Sequence, residues 1–340
     1  MAGDSIGALT SSDVIKRHPD NPILTYREVP YPAALVFNAG VTRYQGRYVM
    51  VFRNDYGDFE AQTLHATNLG LAFSDDGVHW EVTSKPCFEE ATRRLAALLR
   101  PGDFVRAYDP RLTVLEGRCF MTFAIDTRHG VRGGIAVTED FDRWEILHTT
   151  LPDNRNLALF PERLGNGYVR LERPMPMYSR GWQERFDVWL SASPDLRLWG
   201  DSKLLLAVED VPYANRKIGP AAPPVKTDRG WLTTFHAVDF DPKRGKNGWE
   251  PTWQKRYTAG LMLLDLEAPT KIIGFYEEPL MAPEAPYETE GGFRNNVIFP
   301  GGMVLEESGE VKFYYGAADT VMCLATAGVD DLLALCKPVS

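Results

Sequence analysis

The stretch "LTVLEGRCFMTFAIDT" runs from Leu112 to Thr127. A run of β-formers, a Glu-Gly pair, a second apolar and aromatic run and an abrupt polar end describe a hairpin whose second strand leaves the core at Asp126. The same grammar recurs in "VTRYQGRYVMVFRND" (41–55), "PERLGNGYVRLERP" (161–174), "PVKTDRGWLTTFHAVD" (224–239) and "MVLEESGEVKFYYGAAD" (303–319). The turns fall at Gly46, Gly117, Gly167, Gly230 and Gly309, at intervals of 50 to 79 residues. Such intervals suit a four-stranded blade with variable insertions. Five of them predict an all-β fold, a five-bladed β-propeller occupying residues 1–340 as a single domain. A sandwich or solenoid of similar strands is the alternative; most solenoid periods are shorter, and so many strands need closure to protect their edges.

A further strand often follows the hairpin, in "GLAFSDDGVHWEV" (70–82), "GIAVTEDFDRWEIL" (134–147) and "VWLSASPDLRLWGDSK" (188–203). Ser or Thr, then Asp, then a Trp a few residues on mark a turn closed by an aromatic plug. Helical spacing is confined to "FEEATRRLAALLR" (88–100), an insertion between the first two units, and to a short terminal piece, "DDLLALC" (330–336).

The chain has 37 basic and 46 acidic residues, a formal net charge of -9 and a pI near 5.3, which argues against a nucleic-acid partner. Any anion site must be local. No basic start leads into an apolar segment and no run of about 18 apolar residues occurs, so a soluble, cytoplasmic protein without a membrane partner is expected. Cys87, Cys119, Cys323 and Cys336 have neither CxxC nor metal-ligand spacing, and are read as buried or incidental thiols.

Blades are related by rotation about a central channel, so equivalent positions in the repeats meet in space. The ends of the second strands supply Arg53, Asn54 and Asp55; Asp126; Glu172 and Arg173; His236 and Asp239; and Asp319. The starts of the first strands supply Asn38 and Asp109, with Glu162 nearby. Each alone is an ordinary solvated strand end, and Asp109 in "YDPR" an ordinary Asp-Pro turn. Together they make a funnel of acids and bases at the channel mouth. An inverting glycosidase needs an acid and a second carboxylate as base, with water between them. A phosphorylase replaces that water with inorganic phosphate, and needs one acid with a cluster of cationic donors.

The motifs "NPIL", "FNAG" (37–40), "VFRND" (51–55), "YDPRLT" (108–113), "NRNLALFPE" (154–162), "RLERP" (170–174), "NRKIGPAAPP" (215–224), "TTFHAVD" (233–239) and "YYGAAD" (314–319) cover nearly the whole chain. In these the sequence resembles glycoside hydrolase family 130, the β-mannoside phosphorylases, and most of all the β-1,4-mannooligosaccharide group. The resemblance implies a five-bladed propeller and an inverting phosphorolysis of β-mannosides to α-mannose 1-phosphate and a shortened sugar. It implies Asp109 as the acid, acting through the mannose 3-hydroxyl. Phosphate would be held by Arg155, Arg173, Lys217 and His236, assisted by Asn38 and by Tyr257 in "QKRYTAG". The family's "FNSG" is here Asn38-Ala39, so one hydroxyl contact is lost.

Sugar contacts are expected from Arg53, Asn54, Asp55 and Asp319. The loop 239–257 is expected to form a lid over the acceptor subsite, with Trp249 or Trp253 stacking on a sugar. No metal or organic cofactor is implied, inorganic phosphate being a co-substrate; self-association is compatible with this reading. The rivals are a β-mannoside hydrolase, with Glu162 or Asp126 as its second carboxylate, a β-1,2-mannobiose phosphorylase, and a non-catalytic carbohydrate-binding propeller.

Overall fold

A computed structural model describes residues 6–245, 248–250 and 252–339. Five antiparallel sheets follow one another along the chain. Blade 1 comprises Leu35–Tyr44, Arg47–Asp58, Thr63–Ser74 and Glu81–Val82. Blade 2 comprises Phe104–Leu115, Arg118–Thr127, Gly130–Thr138 and Glu145–Thr149, and blade 3 Asn154–Leu159, Tyr168–Pro174, Val188–Ser193 and Gly200–Leu206. Blade 4 comprises Lys217–Pro220, Trp231–Phe240, Lys255–Leu264 and Ile272–Phe275, with Val225–Lys226 extending its first strand's side. Blade 5 takes three strands from the C-terminal part, Ile298–Leu305, Glu310–Ala317 and Val321–Gly328, and its outermost from the N-terminal part, Lys16–Arg17, paired to Thr326 and Ala325. Sharing that last blade between the two ends of the chain closes the ring.

The predicted hairpins form with their glycines left-handed at Gly46, Gly117, Gly230 and Gly309. In the third hairpin the left-handed residue is Gly165 and not Gly167, which instead bridges to Leu164. The Ser/Thr–Asp turns have one construction in three blades. The hydroxyls of Ser74, Thr138 and Ser193 accept from the amides of Gly77, Phe141 and Leu196 at 2.8, 2.9 and 2.8 Å, and each of those three residues has a positive φ. A carboxylate oxygen of Asp76, Asp140 or Asp195 then takes the next two amides. Trp144 follows as a buried plug against Phe88 and Phe141.

The inserted helix is Glu89–Leu98, which buries Ala91 and Leu95 in the core shared by blades 1 and 2. A C-terminal helix, Val329–Leu335, buries Leu332 and Leu333. Cys119, Cys323 and Cys336 are buried free thiols and Cys87 a partly buried one. No helix among the described residues is long and apolar enough to cross a membrane.

The inner strands carry what positions the site. Their pairing slips between Phe37 and Gly40, Tyr108 and Arg111, and Arg155 and Ala158. Inside each slip one residue is left-handed: Asn38 (φ 47°), Asp109 (φ 51°) and Asn156 (φ 60°). Asn and Asp are the side-chain-bearing residues that tolerate this region best, and a bulge re-aims the side chain it carries. Asp109 therefore sits in mid-strand, within Phe104–Leu115, and not at the strand start expected from its Asp-Pro dipeptide. Gly40 is required beside it, because a Cβ there would lie 2.6 Å from the Cα of Arg111 on the next blade.

Thr138→Val keeps the shape of the side chain but leaves the Phe141 amide buried without an acceptor. A loss of about 1–3 kcal/mol in unfolding free energy is expected by chemical denaturation; an unchanged midpoint would show that the turn is held by its aspartate alone.

Candidate functional site

At the axis lies a cavity of about 310 Å³ to which all five blades contribute. Of the residues expected from sequence, Asn38, Arg53, Asp55, Asp109, Arg155, Arg173, Tyr257 and Asp319 line it. Asp126 lines it too, together with Arg106, Tyr108, Asn156, Arg294 and Phe299, to which sequence reading assigned no role. Tyr108 lay in a quoted motif, and Asn156 follows Arg155 as Asp109 follows Tyr108. Arg294 stands in a connection without the repeat's grammar and gave no signal.

Asn54, expected to contact the sugar, does not line the cavity: strands alternate faces, so Arg53 and Asp55 look into it while Asn54 looks away. Its amide binds the Pro32 carbonyl and Asn68 at 3.0 and 2.9 Å. Glu172, one step from Arg173, is likewise turned away and paired with Arg170 at 2.8 Å. Asp239 is occupied by Arg244 and Arg256.

The lid reading of 239–257 is corrected in part. Lys246, Asn247 and Pro251 lie outside the described residues, and both ends of the segment are strand. Trp253 is buried, its indole N–H donating to the Asn295 carbonyl and its ring stacked 5.7 Å from Tyr257, so it backs a lining residue and does not itself face the cavity. Trp249 packs edge-on against Phe293 and Phe59, again outside the lining.

Lys217 and His236 form a layer behind Arg173 and do not line the cavity. The His236 Nε2 lies 2.9 Å from an Arg173 nitrogen and its Nδ1 3.2 Å from the Pro220 carbonyl. Arginine can only donate, so Nε2 accepts and Nδ1 carries the proton: the ring is neutral. Burial and the neighbouring Arg173 push the His236 pKa well below its ordinary value, in agreement with that tautomer. Lys217 is paired with Glu184, which also holds Lys255 at 2.6 Å. Burial, then Arg173 and Lys255, hold the Lys217 ammonium well below its usual range. Burial opposes the charge of Glu184, but the two lysines prevail and bring its carboxyl to about 2.

The lining has an excess of cation over anion, in a chain of net charge -9. Arg53 is bidentate on Asp55, at 2.9 and 2.6 Å, and touches Asp109 at 3.3 Å. Burial pushes the pKa of Asp55 up, but Arg53, together with Thr67 and Arg106, more than offsets this and leaves it below its ordinary value. Asp126 is locked by Arg106 and by the Tyr108 hydroxyl, both at 2.7 Å. Arg294 pairs with Asp319 at 3.2 Å and with Glu250. Burial nevertheless leaves the Asp319 pKa raised, with Asp109 adding to it.

Two lining cations remain. Arg155 donates to the Tyr108 hydroxyl and Arg173 meets His236, and neither has a carboxylate partner among the described residues. The Nε of each is buried without any hydrogen-bond acceptor. Tyr257, whose pKa burial lifts to about 12, feels the positive potential of both. An oxyanion entering here would meet two guanidinium groups and a phenol. Asp109 lines the same space, close enough for its charge to act on Arg155, with one oxygen bound by Asn38 at 3.1 Å and by Arg53 and the other without a hydrogen-bond partner among the described residues. No group of His, Cys, Asp and Glu among the described residues could hold a metal.

An axial cavity of acids and guanidinium groups on a five-bladed β-propeller defines a protein that handles sugars and an anion together. The family model described as beta-1,4-mannooligosaccharide phosphorylase, of glycoside hydrolase family 130, matches residues 12–338, and the chain belongs to that family. It is 31% identical to the β-1,4-mannooligosaccharide phosphorylase of Ruminococcus albus, over 94% of this chain and 90% of that one. It is 29% identical to the 1,2-β-oligomannan phosphorylase of a Thermoanaerobacter species, over 94% and 98%. The β-1,2-mannobiose phosphorylase of Listeria innocua, solved with β-1,2-mannobiose, has the same fold, with a TM-score of 0.77 at 24% identity, over 94% of this chain and 98% of that one.

Burial and the neighbouring Arg155 weaken the hold of Arg173 on its proton, a strain that a bound oxyanion would relieve. Arg173→Ala should therefore raise the KM for inorganic phosphate by at least about tenfold, the lower range for a lost hydrogen bond to a charged group, and the KM for mannoside less. An unchanged phosphate KM in the folded variant would place the anion elsewhere.

Proposed function

We propose that this mannoside phosphorylase cleaves the terminal residue of β-1,4-linked mannooligosaccharides by inverting phosphorolysis. The observation that carries the reading is the pair of lining arginines, Arg155 and Arg173, left without a carboxylate partner among the described residues in the cavity that Asp109 also lines. A phosphate oxygen attacks the anomeric carbon from the face opposite the β-glycosidic bond. That bond breaks with its electron pair on the leaving oxygen, which is protonated by Asp109, directly or through the mannose 3-hydroxyl. The products are α-mannose 1-phosphate and a shortened sugar.

The residues divide the work by position. Asn38 and Arg53 hold one Asp109 oxygen and leave the other for the proton; Asp55 keeps Arg53 in place. His236 and Lys217 act behind the lining, His236 by orienting Arg173 and Lys217 by pairing with Glu184, whose negative potential reaches Arg173. Asp319 accepts from sugar hydroxyls, the role its unspent oxygen favours. Arg53 serves the sugar as well, while Asn54, Trp249 and Trp253 support the walls.

Water is poorly served here as a nucleophile. Asp126 has both oxygens engaged, and Glu162 lies outside the cavity in an ion pair with Lys226. This weighs against the hydrolase. The β-1,4 linkage is favoured by the family description and the Ruminococcus relative. A β-1,2 substrate is the second reading, favoured by the Thermoanaerobacter relative.

The deciding experiment supplies β-1,4- and β-1,2-mannobiose with and without inorganic phosphate and follows mannose 1-phosphate. Phosphate-dependent release of the α-anomer from the β-1,4 sugar is expected, and reversal when mannose 1-phosphate and acceptor are supplied. Free mannose formed equally fast without phosphate would instead establish hydrolysis. Asp109→Asn should lower turnover by at least about a hundredfold with the fold intact, the lower range for a lost general acid. Near-normal turnover in a folded variant would remove Asp109 from the chemistry.

A further inference from the structure

A second cavity, of about 240 Å³, lies beside the axial one, between blade 1, the first strand of blade 2 and the inserted helix. Arg106 lines both. Its Nε is tied to Asp126 on the axial side, and its terminal nitrogens have no hydrogen-bond or ion-pair partner among the described residues. The two cavities are thus neighbours across one guanidinium group with donors to spare.

The make-up of the second cavity suits a sugar ring. Tyr56 and Phe104 are half-buried aromatic walls, able to cover the apolar face of a pyranose. Asn68 spends its carbonyl oxygen on Asn54, and neither its amide N–H groups nor Arg93 of the helix has a hydrogen-bond or ion-pair partner among the described residues. Arginine and amide donors flanking an aromatic wall read hydroxyl groups; they do not select a lipid or a hydrophobic peptide.

Removal of a terminal mannose leaves all further residues of the chain on the acceptor side. We infer that the second cavity is an acceptor-side subsite, holding a sugar ring beyond the disaccharide, with Tyr56 and Phe104 as its stacking faces and Arg93 and Asn68 as its donors. This rests on the phosphorylase reading above and accounts for the inserted helix, which supplies one wall of a chain-length sensor.

The test compares kcat/KM for mannobiose and mannotriose, in the linkage series that supports turnover, with inorganic phosphate saturating. Wild-type protein should favour mannotriose by about tenfold, the equivalent of about 1.4 kcal/mol. Arg93→Ala and Tyr56→Ala should each bring the ratio towards one, with mannobiose kcat/KM held within about twofold, since neither touches the axial cavity. Tyr56→Phe, which keeps the ring, should retain most of the preference. Equal use of both sugars by wild-type protein, or a preference that survives in both alanine variants, would overturn the subsite while leaving the phosphorylase intact. Failure to cleave any β-mannoside would overturn the phosphorylase reading and the subsite with it.

Discussion

A left-handed residue inside an inner strand is the constraint on which the site depends. At Asp109 the backbone adopts φ 51° within a strand that is otherwise extended, and the pairing with the next strand slips there. A regular strand would send alternate side chains into the two faces of the blade, where the neighbouring blades are packed and apolar. The bulge takes one polar side chain out of that alternation and delivers it to the axis. Asn38 and Asn156 use the same device, so three blades each present one amide or carboxylate to the same space. Gly40 follows from it, because the bulged strands of adjacent blades meet backbone to backbone.

Charge is then distributed by pairing. Burying a guanidinium or a carboxylate without a partner is costly, and most lining groups avoid that cost in Arg–Asp pairs. Arg155 and Arg173 do not. They persist because hydrogen bonds to Tyr108 and His236 hold them and because negative potential reaches Arg155 from Asp109 and Arg173 from Glu184. Unspent cationic charge is what an oxyanion would neutralise, so the least satisfied part of the cavity is the part best suited to a co-substrate anion. The same arrangement keeps His236 neutral: a second proton would set a cation directly against Arg173.

The sequence alone determined the ring. Hairpin glycines, Ser/Thr–Asp turns and the plug tryptophans are local rules, each satisfied within a few residues, and five repetitions define five blades. The second-strand polar ends were legible for the same reason, since a polar residue after an apolar run must leave the core. What tertiary structure alone decided is which of those polar ends face the axis. Side-chain direction in a strand alternates, and register is set by pairing, so Arg53 and Arg173 entered the cavity while their neighbours Asn54 and Glu172 turned away. The closure of blade 5 by Lys16–Arg17 and the arrival of Arg294 beside Asp319 join residues far apart in the chain, and no local rule carries that information. Trp253 shows the converse: exposed-looking in a polar loop, it is buried because the loop folds back on Tyr257, a contact decided by packing and not by composition.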